Sequence, residues 1–306
     1  MRAVDLFSGW GGLTQGSEDA GVEVVWAANH WPLAVETHAL NHPNTFHSCQ
    51  DLHQADWTEL PEYEILLAAP ACQGHSTASQ PKRRVYHDAL RATALAVVHC
   101  AEVTRPKAIV VENVPAFQRW ELFDWWVAGL RQLGYDIDVR QLVASRFGVP
   151  QRRKRLFIIG THRGIKVPDL KPAATEPPFA PCIDWNAPED VWRRVDDATP
   201  KIKERITRSR KRHGEVFLTQ HTTDHMGVPL SEPIRTITTA PAHWNLVVGD
   251  RYRALTGREL ARGMGFPDTY KWPTHATVEE VTQGIGNSVP PPLGKAVVAA
   301  VADVAA

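Results

Sequence analysis

Along the first 160 residues, apolar runs and amphipathic stretches take turns. RAVDLF (2–7) predicts a strand ending in a glycine-rich turn, and LTQGSEDAG (13–21) a helix closed by Gly21. VEVVWAAN (22–29) predicts the next strand and PLAVETHALN the next helix. EILLAA (64–69) and KAIVVEN (107–113) are continuous apolar runs, separated by a helical stretch from Asp88 to Val103. FQRWELFDWWVAGLRQLG predicts a helix ending at Gly134, and YDIDVRQLVA and RLFIIGT predict two more strands. Apolar strands alternating with helices predict an α/β fold: a doubly wound, Rossmann-like parallel sheet covered on both faces.

From about residue 162 the texture changes. Prolines cluster in PDLKPAATEPPFAPC, tryptophans and basic residues follow, and periodicity is weak to residue 250. A small loop-rich second domain is predicted there. Regular patterning returns at LTGRELARGMGF (255–266). The closing stretch, PPLGKAVVAAVADVAA, is apolar on most of its surface and predicts a helix packed back on the first domain. The expected division is therefore 1–161 plus 251–306 for the first domain and 162–250 for the second. No apolar run approaches the roughly 18 residues that span a bilayer. MRAVDLFSGW has no signal-peptide hydrophobic region. A cytoplasmic protein, with no membrane partner, is expected.

Composition adds little, since 43% hydrophobic and 22% charged residues in a chain of 306 are ordinary for a globular protein. Charge distribution says more. Lys+Arg and Asp+Glu both total 34, yet KIKERITRSRKRH (201–213) holds seven basic residues and one acidic. QRRKR (151–155) and SQPKRR (79–84) add four and three more. Three basic runs in a chain of zero net charge predict a bipolar surface suited to a phosphate backbone.

The four cysteines fit no zinc or disulfide spacing. Cys49 and Cys100, in apolar surroundings, are expected to be buried. Cys72 differs, because LLAAPACQGHS places it in a loop just after a buried strand. Carboxyl ends of parallel strands are where ligands collect. On that fact alone an inert loop thiol is still the simpler reading. Glu112 ends the next strand, at the same edge. A buried glutamate needs a partner or a task, and a salt bridge to an arginine of 151–155 would suffice. Together, Cys72 and Glu112 suit attack on an electron-poor ring, one group bonding carbon and the other giving a ring nitrogen its proton. Gly9, Gly11 and Gly12 follow the first strand and open a helix, a turn where a nucleotide-like cofactor can approach the backbone.

These residues resemble, in order and over nearly the whole chain apart from about 162–230, the cytosine-5 DNA methyltransferases. DLFSGWGG is similar to that family's S-adenosylmethionine loop, PACQ to its Pro-Cys-Gln motif and ENV (112–114) to its Glu-Asn-Val motif. Gln151, Arg153 and Arg155 match its Gln-x-Arg-x-Arg motif. RALTGRELARGMGFPDTY resembles the helix that supports the recognition domain, and GNSVPPPLGKAV the motif that completes the cofactor pocket.

The resemblance implies an S-adenosylmethionine-dependent methyltransferase of prokaryotic or phage type, a monomer without metal, acting on a flipped cytosine in duplex DNA and releasing S-adenosylhomocysteine. It implies Cys72 as nucleophile and Glu112 at ring nitrogen 3, with Arg153 and Arg155 holding the pyrimidine oxygen and ordering the loop. Cofactor contacts would come from Phe7, Ser8, Gly9, Trp10, Gly11, Gly12, His30, Trp31, Asp51, Leu52, Pro70, Asn287, Ser288 and Val289. Contacts to DNA would come from Gln73, Ser76, Lys82, Arg83, Arg84, Asn113 and Gln151. Residues 162–250 would be the target-recognition domain. Two positions depart from the pattern: Ala71 stands where a second proline is usual, and His30 where an acidic residue usually grips the ribose. Two rivals stay open: a silent DNA-binding protein on this fold, and the same fold acting on RNA or transferring another group. A Rossmann dehydrogenase is disfavoured, since it would want an acidic residue after the second strand and leaves Cys72 without a task.

Overall fold

The computed structural model describes residues 1–70, 84–221 and 225–306, with side chains from residue 93 in the helix that opens at Arg84. The elements of the larger unit are β1 (Arg2–Leu6), α1 (Gly12–Asp19), β2 (Glu23–Asn29), α2 (Pro32–Asn41), β3 (Phe46–Cys49), β4 (Ile65–Ala68), α3 (Arg84–Thr104), β5 (Ala108–Asn113), α4 (Phe123–Gln132) and β6 (Tyr135–Val143). After them come β7 (Gln151–Arg152) and β8 (Lys154–His162). Seven strands form one sheet in the order β3-β2-β1-β4-β5-β8-β6. Every residue of β4 and β5 is buried, because both faces carry helices.

Alternation along the strands divides two cores. Val4, Leu6, Leu66, Ala68, Ile109 and Val111 face α3 and α4, where Val97, Cys100, Trp126 and Leu130 meet them. Ala3, Ile65, Leu67, Ala108 and Val110 face the opposite side, covered by Leu13 of α1 and by Leu293, Val297, Val298 and Val301 of the C-terminal helix. Each valine, leucine or isoleucine among them, fully buried, contributes about 1.5–3 kcal/mol.

The sheet is mixed rather than parallel. β8 runs antiparallel to both β5 and β6. The link from β6 to β8 is a one-turn 3₁₀ helix and the two-residue β7. It is too short for the crossover a parallel neighbour requires. The helix expected from 117 is also shorter. Pro115–Arg119 is a 3₁₀ helix, and α4 starts only at Phe123. Phe117 packs edge-on against Phe123 and Trp126, an aromatic cluster in place of a continuous helix. Cys100 is buried, but Cys49 is exposed, because β3 is an edge strand.

The region of weak periodicity is more regular than expected. It holds β9 (Arg193–Arg194), the basic helix α5 (Pro200–His213), β10 (Val216–Gln220), β11 (Ile234–Arg235) and β12 (Trp244–Val248). β13 (Arg251–Ala254), just past the expected boundary at 250, completes a four-stranded sheet, β10-β12-β13-β9. Ile206 of α5 packs on Phe217, Val247 and Tyr252 of that sheet. The chain returns through α6 (Gly257–Met264), α7 (Val278–Asn287) and α8 (Pro291–Ala305). α6 and α7 each start with a capping box, Thr256 with Glu259 and Thr277 with Glu280.

Candidate active site

β1 to β5 are mutually parallel in their pairings, so their carboxyl ends share one edge of the sheet. Ala68, the last residue of β4, pairs with Val111 of β5, and Glu112 and Asn113 follow directly. Asn113 is buried and its side-chain amide donates to the carbonyl of Pro70 at 3.1 Å. Its oxygen accepts from the Val114 amide at 2.8 Å. Asn113, expected at DNA, therefore holds the chain just before Ala71. Ala71, Cys72, Gln73, Ser76, Lys82 and Arg83 lie outside the described residues, as does the side chain of Arg84.

Glu112 is buried, and its Oε1 lies 2.9 Å from Arg155 Nε, with side-chain exposures of 8% and 12%. Burial pushes the Glu112 carboxyl above the ordinary range, while Arg155, then Arg153, pull it down; burial prevails. The result is a carboxyl that holds its proton more firmly than an ordinary glutamate, with a guanidinium beside it to hold the anion once formed. The ion pair anticipated between Glu112 and the 151–155 run is present.

Arg153 and Gln151 do different work from that expected. Arg153 donates through Nη1 to the Ile237 carbonyl at 2.8 Å and through Nη2 to the Gly286 carbonyl at 2.6 Å. These bonds join the smaller unit to the C-terminal segment, and Arg153 also acts electrostatically on Glu112. Gln151, fully buried, accepts from the Ile237 amide at 2.7 Å and donates to the Gly263 carbonyl at 3.2 Å. This buried side chain fastens the same seam.

The glycine-rich turn leaves β1 at this edge. Phe7, Gly9 and Gly11 have φ of 59°, 55° and 76°. The Ser8 amide donates to the Ala28 carbonyl, tying the turn to β2. A side chain on Gly12 would run into the Val289 carbonyl, which places Val289 directly against the start of α1. His30 is exposed and Trp31 half-buried just past β2, while exposed Asp51 and buried Leu52 follow β3. Pro70 and Ser288 are buried nearby in the chain's path, the Ser288 hydroxyl donating to the Gly284 carbonyl at 2.7 Å. An open turn of backbone amides, one half-buried indole and polar side chains from three strand ends fit a nucleoside-bearing cofactor. Trp10 is the exception. Its ring is 2% exposed, stacks on Trp272 at 6.0 Å and lies on Gly284, so it faces the core and only its backbone belongs to the turn.

Sequence patterns assign no role to His42 or to Tyr270, the last residue of RALTGRELARGMGFPDTY; both are buried beneath the turn. They are 228 residues apart, with the Tyr270 hydroxyl 3.2 Å from His42 Nε2. Neither belongs to a short motif with a mechanism of its own.

A family model described as C-5 cytosine-specific DNA methylase matches residues 1–303. The Type II methyltransferase M.NgoBI of Neisseria gonorrhoeae is 26% identical over 296 residues, covering 95% of this chain and 90% of that protein. M.AgeI of Thalassovita gelatinovora is 33% identical over 185 residues, 56% of this chain but only 42% of its own length. The solved structure of the Entamoeba histolytica methyltransferase EhMeth has a TM-score of 0.73 at 17% identity, covering 100% of this chain and 97% of that one.

Proposed function

This chain belongs to the C-5 cytosine-specific DNA methylase family and is a DNA cytosine-5 methyltransferase; from that premise we propose that it works through a covalent adduct of Cys72 with a cytosine flipped out of duplex DNA. The observation that carries the proposal is the buried Glu112–Arg155 pair, at the strand end beside the Pro70 carbonyl that Asn113 holds. Carbon 5 of cytosine is a poor nucleophile. Addition of the Cys72 thiolate to carbon 6 breaks the 5,6 double bond and moves electron density to carbon 5. Glu112 gives or shares its proton at ring nitrogen 3, so charge does not accumulate on the ring, and Arg155 then holds the glutamate anion. Once carbon 5 carried a methyl group, loss of its proton to a base would re-form the 5,6 double bond and expel the Cys72 thiolate, the nitrogen 3 proton returning to Glu112. S-adenosylmethionine, when bound, supplies an electrophilic methyl group. Phe7–Gly12, His30, Trp31, Asp51 and Asn287–Val289 would hold it. A base inside a duplex cannot reach Cys72, hence the flipping. Residues 162–250 would read the target sequence.

Cys72→Ala is expected to abolish methylation while cofactor binding survives. Nucleoside mass spectrometry with conversion sequencing of DNA from expressing cells reads the product. Full activity of the variant would end the covalent mechanism. Unmodified DNA, with the native protein folded and cofactor supplied, would favour a DNA-binding role instead.

A further inference from the structure

The turn that leaves β1 bends through three positive φ angles within five residues. Gly9 and Gly11 take such angles freely, but Phe7 carries a side chain and holds its angle only where its surroundings fix it. Its own bond, from the Gly11 amide to the Ser8 carbonyl at 3.0 Å, closes part of the turn but leaves the Trp10 carbonyl outside. That carbonyl accepts from the hydroxyl of Tyr270, 260 residues further along the chain. Space at Gly11 is filled from the same direction. A Cβ there would fall 2.6 Å from the Tyr270 oxygen and 2.8 Å from His42 Nε2. The turn rests directly on this pair.

Proton counting fixes the direction of the bonds. Tyr270 spends its one proton on the Trp10 carbonyl, so its oxygen accepts from His42 Nε2, 3.2 Å away. His42 Nδ1 lies 2.9 Å from Glu18 Oε2, and an ionised carboxylate only accepts. Glu18, exposed on α1, thus meets the far side of the His42 ring. The other ring against it, His38 of α2 at 4.6 Å between centroids, is kept neutral by burial and by the neighbouring histidines. His38 Nε2 lies 3.0 Å from the Thr14 hydroxyl, which donates to Asp5 at 2.7 Å.

We propose that Tyr270 and His42 are positioning residues for the cofactor: they set the shape of the Ser8–Gly11 turn on which S-adenosylmethionine binds. The proposal rests on the cofactor reading above. It gives the segment after α6 a task in binding besides supporting the smaller unit, since one residue there braces the cofactor turn through backbone and another, Trp272, clasps the Trp10 ring. The chemistry itself involves neither side chain, so binding should suffer while turnover of the loaded enzyme does not.

The test is calorimetric titration of the full-length protein with S-adenosylhomocysteine, together with kcat and KM for S-adenosylmethionine. Tyr270→Phe is expected to weaken binding roughly tenfold, the effect of one lost buried hydrogen bond. KM should rise in parallel, with kcat at saturation within about twofold. His42→Gln, which keeps an amide donor for the Tyr270 oxygen, should weaken binding less. If Tyr270→Phe fails to fold, the His42→Gln comparison decides. Binding as tight as native in the folded variants overturns the proposal, as does a fall in kcat with KM unchanged. A native protein that binds no S-adenosylhomocysteine would instead sink the cofactor reading.

Discussion

Asp5 ends the Asp5–Thr14–His38 relay with no exposed surface and one carboxylate oxygen, Oδ1, unpartnered among the described residues. Burial pushes its carboxyl up to about 7, and the hydrogen bond from Thr14 pulls back only part of that. The sign follows from linkage. Between pH about 4 and 7 the unfolded chain has lost this proton and the folded protein still holds it, so stability falls as pH rises through that window. At about 1.4 kcal/mol per decade, the cost reaches roughly 4 kcal/mol above pH 7. Asp5→Asn keeps an acceptor for Thr14 and cannot ionise. Its urea-derived stability relative to native should therefore improve by a few kcal/mol between pH 4 and pH 8. Parallel curves for the two proteins would show that Asp5 keeps an ordinary carboxylate. Glu112 shares the same desolvation but has Arg155, which is why a strand-end glutamate could be singled out from sequence. Asp5 could not be, since its burial depends on a helix, α1, folding over it. The directions of Trp10, Gln151 and Arg153 were illegible for a related reason: each is set by partners more than 80 residues away.

At the scale of elements, α1 and α8 meet on a glycine face. A Cβ at Gly16 would lie 2.5 Å from the Pro291 carbonyl and 2.7 Å from the Lys295 amide. Backbone atoms cannot rotate aside. Two effects compete in Gly16→Ala. Helix propensity favours alanine by about 1 kcal/mol, while overpacking costs about 1–3 kcal/mol. The contact is with rigid backbone on both sides, so overpacking should win and the melting temperature should fall by several degrees. A rise would mean that α8 has room to move. The buried runs of β1, β2, β4 and β5 were legible because each is apolar on both faces, and α8 because its apolar stripe is wide. α7 was missed although Thr277 and Glu280 spell a capping box, since its interior carries Gly284 and Gly286 and looks like a turn. Those glycines are there for contacts, the first with the Trp10 ring and the second with the backbone of Thr238–Thr239. β8 was read as a strand but its direction was not, because a period-two pattern carries no polarity.

Over the whole molecule, equal numbers of acidic and basic residues conceal a one-sided smaller unit. α5 buries Arg205, Ile206 and Ser209 against its sheet and leaves Lys201, Lys211 and Arg212 exposed. The weak periodicity of 162–250 hid this helix, because seven basic residues in 13 swamp the apolar signal of Ile202 and Ile206. Amphipathicity there is basic against mixed, not polar against apolar. If this face lies along the DNA backbone, each charge that meets a phosphate releases about 0.9 of a counterion, and the logarithm of affinity falls with that slope in the logarithm of salt. Replacing Lys201, Lys211 and Arg212 together by glutamine should therefore lower the salt slope by about 2–3. The base context of methylation should stay the same, because phosphate contacts position the protein without reading sequence. DNA affinity measured from 50 to 300 mM salt, with conversion sequencing of the product, checks both halves. An unchanged slope would turn α5 away from DNA. A changed sequence context would make the helix part of the reading surface, so that residues on its exposed face would have to reach base edges.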